Sequence, residues 1–368
     1  MLTTRRREEI SGWIFVLPFV ISMSLFFLYA IARSAWFSLT SYDLFNPPAF
    51  IGLSNYLALI SDRLFLTALT NTMSFSIIVT ISQTIIALLL AVLVNRAIHG
   101  KGVIRTVFYL PSIMSSAAMT LIFLWLFQRE GLMTEFVRFI VNMRWYIGAF
   151  FVIWLAVHLA LVWSARRRYE GVALADPFFL LAGFVSAIFA TTLLSLGQAL
   201  PRYDETFLIS WLNTQQRFLF MPQTLWSVAL MNIFTTVPTL MLLFLAGLQS
   251  IPRALYEAAE LDGANAFHRL RDITIPSLTP VTFAVVTMGI IGTLQMFDQV
   301  AILGDAAPLN SRVTLAFYIY ENAFPSGASS RIGMASAAAL FLGLMTLAVV
   351  YLQRLDCQGL RPQTRRRA

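Results

Sequence analysis

Few residues in this sequence are placed to do chemistry, and those that are do not compose an active site. The sole lysine, Lys101, stands in His99-Gly100-Lys101-Gly102. A loop that cradles nucleotide phosphates needs Gly, four residues, then Gly-Lys-Ser/Thr. Here the earlier glycine and the following hydroxyl are both missing, so that route to ATP is closed. No catalytic triad, zinc motif or carboxylate pair stands out. Cys357 is the only cysteine, which excludes an intrachain disulfide or a thiol cluster for a metal. His158 has no second ligand nearby in sequence and reads as a hydrogen-bonded helix residue. The chain is expected to hold no cofactor or metal and to have no catalytic residue.

Two other sets of residues have a type and spacing that invite function. The first is a polar stretch from Gln249 to Thr279, whose core reads IPRALYEAAELDGANAFHRLRDITIPSLTP. Ser250 can cap a helix whose first turn holds Pro252, where the missing amide has no helical partner anyway. Leu255, Ala258, Ala259 and Leu261 give that helix an apolar side, with Glu257 and Asp262 among them. Gly263 fits the helix end, where a left-handed residue costs least. A second short helix follows, with Phe267, Leu270 and Ile273 on one face, and Pro276 and Pro280 are expected to stop it. The segment reads as a helix–turn–helix lying on a membrane surface, either an interfacial loop or a docking site for a partner's groove. The second set is polar and sits in apolar stretches: Asn232, Thr235 and Thr236, then Thr293, Gln295, Asp298 and Gln299 beside Phe297. Such groups are costly in hydrocarbon and face a cavity or another helix. Neutral amides with an aromatic face suit a sugar; the other reading is that part of the set joins helices. Asp298 reads as a structural acceptor near the outer surface.

The elements that must position these residues are membrane spans. Of 368 residues, 58% are hydrophobic and only 12% charged, with a mean hydropathy of +0.74, whereas a soluble domain carries about 25% charged residues. A span needs about 20 apolar residues. The stretches that qualify are Gly12–Ile31, Ala68–Val94, Val103–Phe127, Trp145–Ser164, Pro177–Leu200, Leu225–Leu248, Pro280–Leu303 and Gly333–Leu352, eight in all. Their length and continuity predict helices rather than barrel strands. The first follows Arg5-Arg6-Arg7 without an evident cleavage pattern and reads as a retained span, not a removable signal. The net charge of +8 does not point to nucleic acid, because the basic residues cluster at the ends of apolar segments. With the N-terminus inside, most of them fall inside: Arg5 to Arg7, Arg96, Lys101 and Arg105, Arg166 to Arg168, Arg253, Arg269 and Arg271, and the tail from Arg354 to Arg367. The loop around Arg129 to Arg144 is basic for an outer one.

Glu257-Ala258-Ala259, three residues, Gly263, nine residues, then Ile273-Thr274-Ile275-Pro276 resembles the EAA loop of ABC importer permeases, with Ile275 in place of the usual leucine. Phe50-Ile51-Gly52-Leu53-Ser54-Asn55-Tyr56, Ala68-Leu69-Thr70-Asn71-Thr72, Leu110-Pro111, Ala246 to Pro252 and Phe297-Asp298 are similar to segments of the sugar and glycerol-phosphate branch of that family, the maltose-type permeases above all. The resemblance covers about residues 10–127 and 222–352. It implies an all-α integral membrane bundle of the type I importer class, a six-helix core plus two inserted helices. Residues 1–128 would begin the core, 129–221 would be the insert, 222–353 would complete the core with its coupling loop at 249–279, and 354–368 would be a basic cytoplasmic tail. It implies that the loop seats in a separate ATPase, where Glu257 makes a polar contact, the alanines permit close packing and Gly263 turns the chain. It further implies a second permease subunit, two ATPase subunits carrying ATP and Mg, an extracytoplasmic solute-binding protein, and a place in the cytoplasmic (inner) membrane. Asn232 resembles a sugar-contacting asparagine. Two features depart from the pattern: Gly304-Asp305-Ala306-Ala307-Pro308 stands where the family has T-G-G-P, and the insert carries two spans joined by Arg166-Arg167-Arg168. An ion-coupled transporter is disfavoured because only Asp298 and His158 could serve as coupling groups, and a membrane-embedded enzyme because no acids or histidines converge.

Overall fold

The chain is helical wherever it is continuously apolar, because a backbone in hydrocarbon must satisfy its own amides and carbonyls. The computed structural model describes residues 4–95, 101–167, 177–197, 199, 210–325, 327 and 329–359. Arg96, Arg168, Leu200 and the tail arginines from Arg361 onward lie outside the described residues. Two units separate: Met1–Phe123 with Leu212–Ala368, and Leu124–Trp211.

The first unit opens with α1 (Thr4–Met23), a π turn at Ser24–Leu28 and α2 (Tyr29–Ser38), together one long N-terminal span. Strand β1 (Thr40–Ser41) pairs antiparallel with β2 (Ala49–Phe50), and α3 (Ser54–Ser61) leads into α4 (Arg63–Asn95). Between β2 and α3 the segment from Phe50 to Tyr56 turns on Gly52, whose φ is +61°. Asn55 Nδ2 then donates to the Ser38 and Thr40 carbonyls at 2.8 and 2.9 Å, and Tyr56 Oη donates to Ser38 Oγ at 2.9 Å. These bonds lock the end of α2 to α3.

Next come α5 (Lys101–Ile113) and α6 (Ser116–Leu126). They occupy the third span expected at Val103–Phe127 but break it, for the two helices meet at 102°. Pro111 withholds an amide from the first, and Ser115 Oγ accepts from the Ala118 amide at 3.2 Å, capping the second.

The second unit is a helical hairpin of α7 (Leu132–Arg166) and α8 (Pro177–Leu196). At 35 residues, α7 is roughly 50 Å long and takes up most of the segment read as a basic outer loop. Arg138 lies there in an ion pair with Glu135 at 2.7 Å. Trp154 Nε1 donates to the Leu180 carbonyl at 3.2 Å, and Gly183 lies against buried His158.

The first unit resumes with β3 (Arg217–Phe218) and β4 (Met221–Pro222), then α9 (Gln223–Gln249), α10 (Arg253–Leu261), α11 (Ala266–Arg269), a π turn at Leu270–Thr274, α12 (Ile275–Ser277) and α13 (Thr279–Leu294). After a break come α14 (Asp298–Leu303), a 3-10 turn, α15 (Leu309–Arg312), α16 (Leu315–Ala323) and α17 (Ile332–Gly359). α4 is central, packed on α9 and α13. Ala87 and Ala91, one turn apart and fully buried, leave room for Met241 and Phe244 of α9. The end of α9 also abuts α13, since a Cβ on Gly247 would sit 2.8 Å from Val281 Cγ2 and 2.9 Å from Leu278 Cδ2. Among the described residues, seven helices are long and apolar enough to cross a membrane, or eight if the bent pair counts as one span. In the turn from Gly304 to Pro308, Gly304 takes φ +47° and Ala307 is extended.

Candidate functional site

The loop from α9 to α13 is built by its own residues. Ser250 does not cap α10 as expected: its hydroxyl donates to the Gly247 carbonyl at 2.7 Å, finishing α9 instead. Ile251 is buried and Pro252 takes the N-cap position of α10. At the other end Gly263, with φ +77°, closes the helix in a Schellman turn. Its amide donates to the Glu260 carbonyl at 3.1 Å and that of Ala264 to Ala259 at 2.9 Å. Asn265 Oδ1 then accepts from the His268 amide at 2.9 Å and starts α11.

Pro276 does not stop the second helix, which runs through α11, the π turn and α12 almost to α13. The wider π turn just before Pro276 absorbs the strain of its ring and missing amide. Tyr256 and Thr274 join the two arms, their oxygens 3.0 Å apart, and Glu260 pairs with Arg269. Behind them lies a cavity of about 510 Å³ bounded by Val92, Asn95, Leu248, Arg269 and Leu270. Ile273 packs on the core cluster. Phe267 is 64% exposed, whereas Leu270 and Ile273 are half-buried; Leu255 is 48% and Leu261 90% exposed. Glu257, Ala258, Asp262 and Pro276 are exposed as well, and Ala259 is half-buried. The arrangement is a braced elbow presenting apolar side chains beside Glu257 and Asp262.

The second set of candidates is divided by the structure. Thr293 is buried within hydrogen-bond distance of Ser76 (2.8 Å) and Thr80 (3.3 Å) of α4, so it joins helices. Thr235 donates back to the Met231 and Asn232 carbonyls, both at 3.1 Å, and Thr236 is half-buried. Asn232 Nδ2 donates to Gln299 Oε1 at 3.3 Å, linking α9 to α14. The expected span Pro280–Leu303 is interrupted at Gln295, Met296 and Phe297, leaving Gln295 and Asp298 exposed. Phe297 contacts Tyr320 (centroids 5.0 Å apart) and Phe317 (6.5 Å). Arg312 lies over Phe317 at 4.5 Å and donates to the Val300 carbonyl at 3.2 Å. Burial lowers the pKa of its guanidinium, against the opposing charges of Glu321 and Asp305.

Sequence reading did not single out Tyr320 or Arg312, which belong to no motif. Nor did it foresee that Asn71 and Thr72 bind the segment from Asn310 to Leu315. Asn71 Nδ2 donates to the Val313 carbonyl at 3.0 Å, and Thr72 Oγ1 accepts from the Leu315 amide at 2.9 Å.

The family described as binding-protein-dependent transport system inner membrane component matches residues 167–359, more than half of the chain. The chain belongs to that family. Over its length this permease is 27% identical to the probable ABC transporter permease protein YesP of Bacillus subtilis, covering 93% of this chain and 90% of the relative. It is 26% identical to the trehalose/maltose transport system permease protein MalF of Thermococcus litoralis, covering 94% of each. The lactose transport system permease protein LacF of Rhizobium radiobacter is 29% identical, with 87% and 85% covered. In fold the permease is similar to a bacterial ABC transporter involved in the import of the acidic polysaccharide alginate. That match has a TM-score of 0.66 at 16% identity and covers 96% of this chain and 97% of the other.

Proposed function

We propose that this permease forms half of the pathway of an ATP-driven importer for a sugar or related polar solute. An external binding protein delivers the solute, and the loop around α10 couples the pathway to a separate ATPase. The observation that carries this reading is the elbow. Leu255, Leu261 and Phe267 stay exposed on a scaffold fixed by the Schellman turn, the Tyr256–Thr274 contact and the Glu260–Arg269 pair. Exposed leucines on a rigid short helix fit a partner's cleft better than solvent. Two ATPase subunits would bring ATP and Mg, and a second permease would complete the pathway. Both termini would lie in the cytoplasm and the spans in the inner membrane. Relatives named for trehalose/maltose and lactose transport support a saccharide cargo. Asn232 with Gln299, and the ring face of Phe297, supply the amides and aromatic surface that such a cargo needs.

The test is co-purification of the ATPase with the assembled complex, alongside uptake in vesicles. Leu261→Glu and Gly263→Val are expected to release the ATPase and abolish ATP-dependent uptake while the membrane subunits still assemble. The second also forces a β-branched residue into φ +77°, at a cost of roughly 1–2 kcal/mol. Asn232→Ala is expected to lower uptake with the ATPase still bound. Normal ATPase retention and normal uptake in both loop variants would sink the coupling role.

A further inference from the structure

The geometry points to a second binding site for a neutral saccharide, a cavity between the turn joining β1 to β2 and the first residues of α17. Its volume is about 540 Å³, within the roughly 300–1,000 Å³ of small-ligand sites. It shares no lining residue with the Asn232–Gln299 pair at the helix break. Its walls are fixed before any ligand arrives. Asn55, itself in the lining, holds the Ser38 and Thr40 carbonyls, and the Gly333 amide donates to the Tyr42 carbonyl at 3.3 Å. A Cβ on Gly333 would collide with the Thr40 carbonyl, so α17 starts hard against β1. At the lip, Leu44 has φ +73°, a conformation that residues other than glycine rarely take. Asp43 holds the turn there: its Oδ1 accepts from the Phe45 and Asn46 amides at 3.1 and 2.8 Å, and its Oδ2 from Asn46 Nδ2 at 2.7 Å. Backbone strain held by surrounding bonds gathers at ligand sites, and rigid walls spare a ligand the cost of ordering them.

The lining decides what fits. Ser41, Tyr42, Ser329, Ser330 and Arg331 line the cavity, and none of their side chains has a hydrogen-bond or ion-pair partner among the described residues. They are open donors and acceptors of the kind that sugar hydroxyls match. Charge then separates a sugar from an anion. Arg331 is the basic residue of the lining and Asp43 the acidic one. The Asn46 amide, and after it the Asn46 side chain, hold the Asp43 pKa below its ordinary value, so that it stays ionised. Asp62, which acts with Arg331 on Tyr318, is already bonded by that phenol. One charge of each sign leaves no net attraction for a phosphate or carboxylate, while both strengthen hydrogen bonds to neutral hydroxyls. Pro47, Ala49 and Met334 add an apolar wall for the C–H face of a sugar ring. That the sugar is transported cargo, and that the cavity opens outside, rest on the function proposed above; the binding itself does not.

The experiment uses the assembled membrane complex in lipid nanodiscs, which leave both faces accessible, and maltose, trehalose and lactose each carrying a photoreactive diazirine. Adducts are mapped by mass spectrometry. At least one of the sugars is expected to mark residues 40–55 or 329–334, to be displaced by its unmodified form and to be unaffected by glycerol phosphate at the same concentration. Arg331→Gln should raise the concentration needed for half-maximal marking about tenfold, having lost a charged donor. Ser330→Trp, which fills the cavity, should abolish it, and adducts near Asn232 that persist in both variants would show that the fold is intact. Asn232→Ala should leave the cavity adducts in place. Absence of cavity adducts overturns the inference; adducts at the helix break alone would still leave the importer reading standing. Displacement by glycerol phosphate as readily as by sugar would make this an anion site and equally overturn it, as would marking unchanged in both cavity variants. Cavity adducts from a sugar that the importer does not take up would keep the site and sink the cargo reading instead.

Discussion

Tyr318 Oη donates to Asp62 Oδ2 at 2.6 Å, a bond that ties α16 to the turn between α3 and α4. Burial, and after it the Asp62 carboxylate, push the pKa of this phenol well above its ordinary value. The folded chain therefore keeps a proton that the unfolded chain releases near pH ~10. Stability is complete below that pH and falls as pH rises through and beyond it. The apparent unfolding midpoint is expected to drop between about pH 9 and about pH 11. Tyr318→Phe should be less stable at neutral pH by about 1–2 kcal/mol, having lost a bond to a charged acceptor, and its midpoint should fall less steeply above pH ~9. An unchanged alkaline slope in the variant would show that Tyr318 does not carry this dependence. Single residues were also the hardest scale to read in the sequence. Thr293 and Asn232 look alike there, as polar groups in apolar runs. One proves to be a helix joiner bonded to Ser76, while the other meets Gln299 across a helix break. The difference lies in what faces each from another helix, which no local spacing reveals.

At the scale of elements, the α4–α13 contact is a polar seam of Ser76, Thr80 and Thr293 that ends in a mismatch at Gln83. Its side chain is 1% exposed and neither amide atom has a hydrogen-bond partner, while a Cβ on Gly289 would collide with its Nε2. An unmet buried amide costs about 1–3 kcal/mol. Gln83→Leu, similar in shape, is expected to raise stability by about that much in purified permease. Gly289→Ala should lower it by about 1–3 kcal/mol through overpacking. A Gln83→Leu protein less stable than wild type would mean that the amide is in fact satisfied. The helices themselves were legible, because apolar length dictates them, and Gly263 announced the end of α10. The interruptions were not. Pro111 and Pro276 look equivalent in sequence, yet the first precedes a 102° bend and the second follows a π turn within a continuing helix. A missing amide costs a few kcal/mol in either place, and packing chooses how it is absorbed. Ser250 was misread for a similar reason: with Ile251 buried, its hydroxyl closes the helix behind it rather than the one ahead.

For the whole molecule, the bent pair α5–α6 decides the topology. If it crosses once, the chain makes eight passes. The arginines at 166–167, those of the α10–α12 loop and those beyond α17 then share a side with Arg5 to Arg7, as the positive-inside rule requires. If it only dips into the bilayer and returns, seven passes remain. Every arginine group after it then changes side, and the elbow faces away from any cytoplasmic ATPase. Composition cannot separate these cases, since the pair passes the same length and hydropathy test as a straight span. Sidedness can. In a Cys357→Ser background, single cysteines at exposed Asn46, Arg167 and His268 can be treated with a membrane-impermeant maleimide, in right-side-out and in inverted vesicles. Asn46→Cys, after a single pass, serves as the outside reference in both cases. Eight passes predict that Arg167→Cys and His268→Cys react only in inverted vesicles. If both react together with Asn46→Cys, the pair is re-entrant and the coupling role falls with it. If His268→Cys alone reacts from inside, the hairpin of α7 and α8 lies on the outer face instead of spanning. The elbow would then keep its ATPase, and the arginines of α7 would meet the outer leaflet.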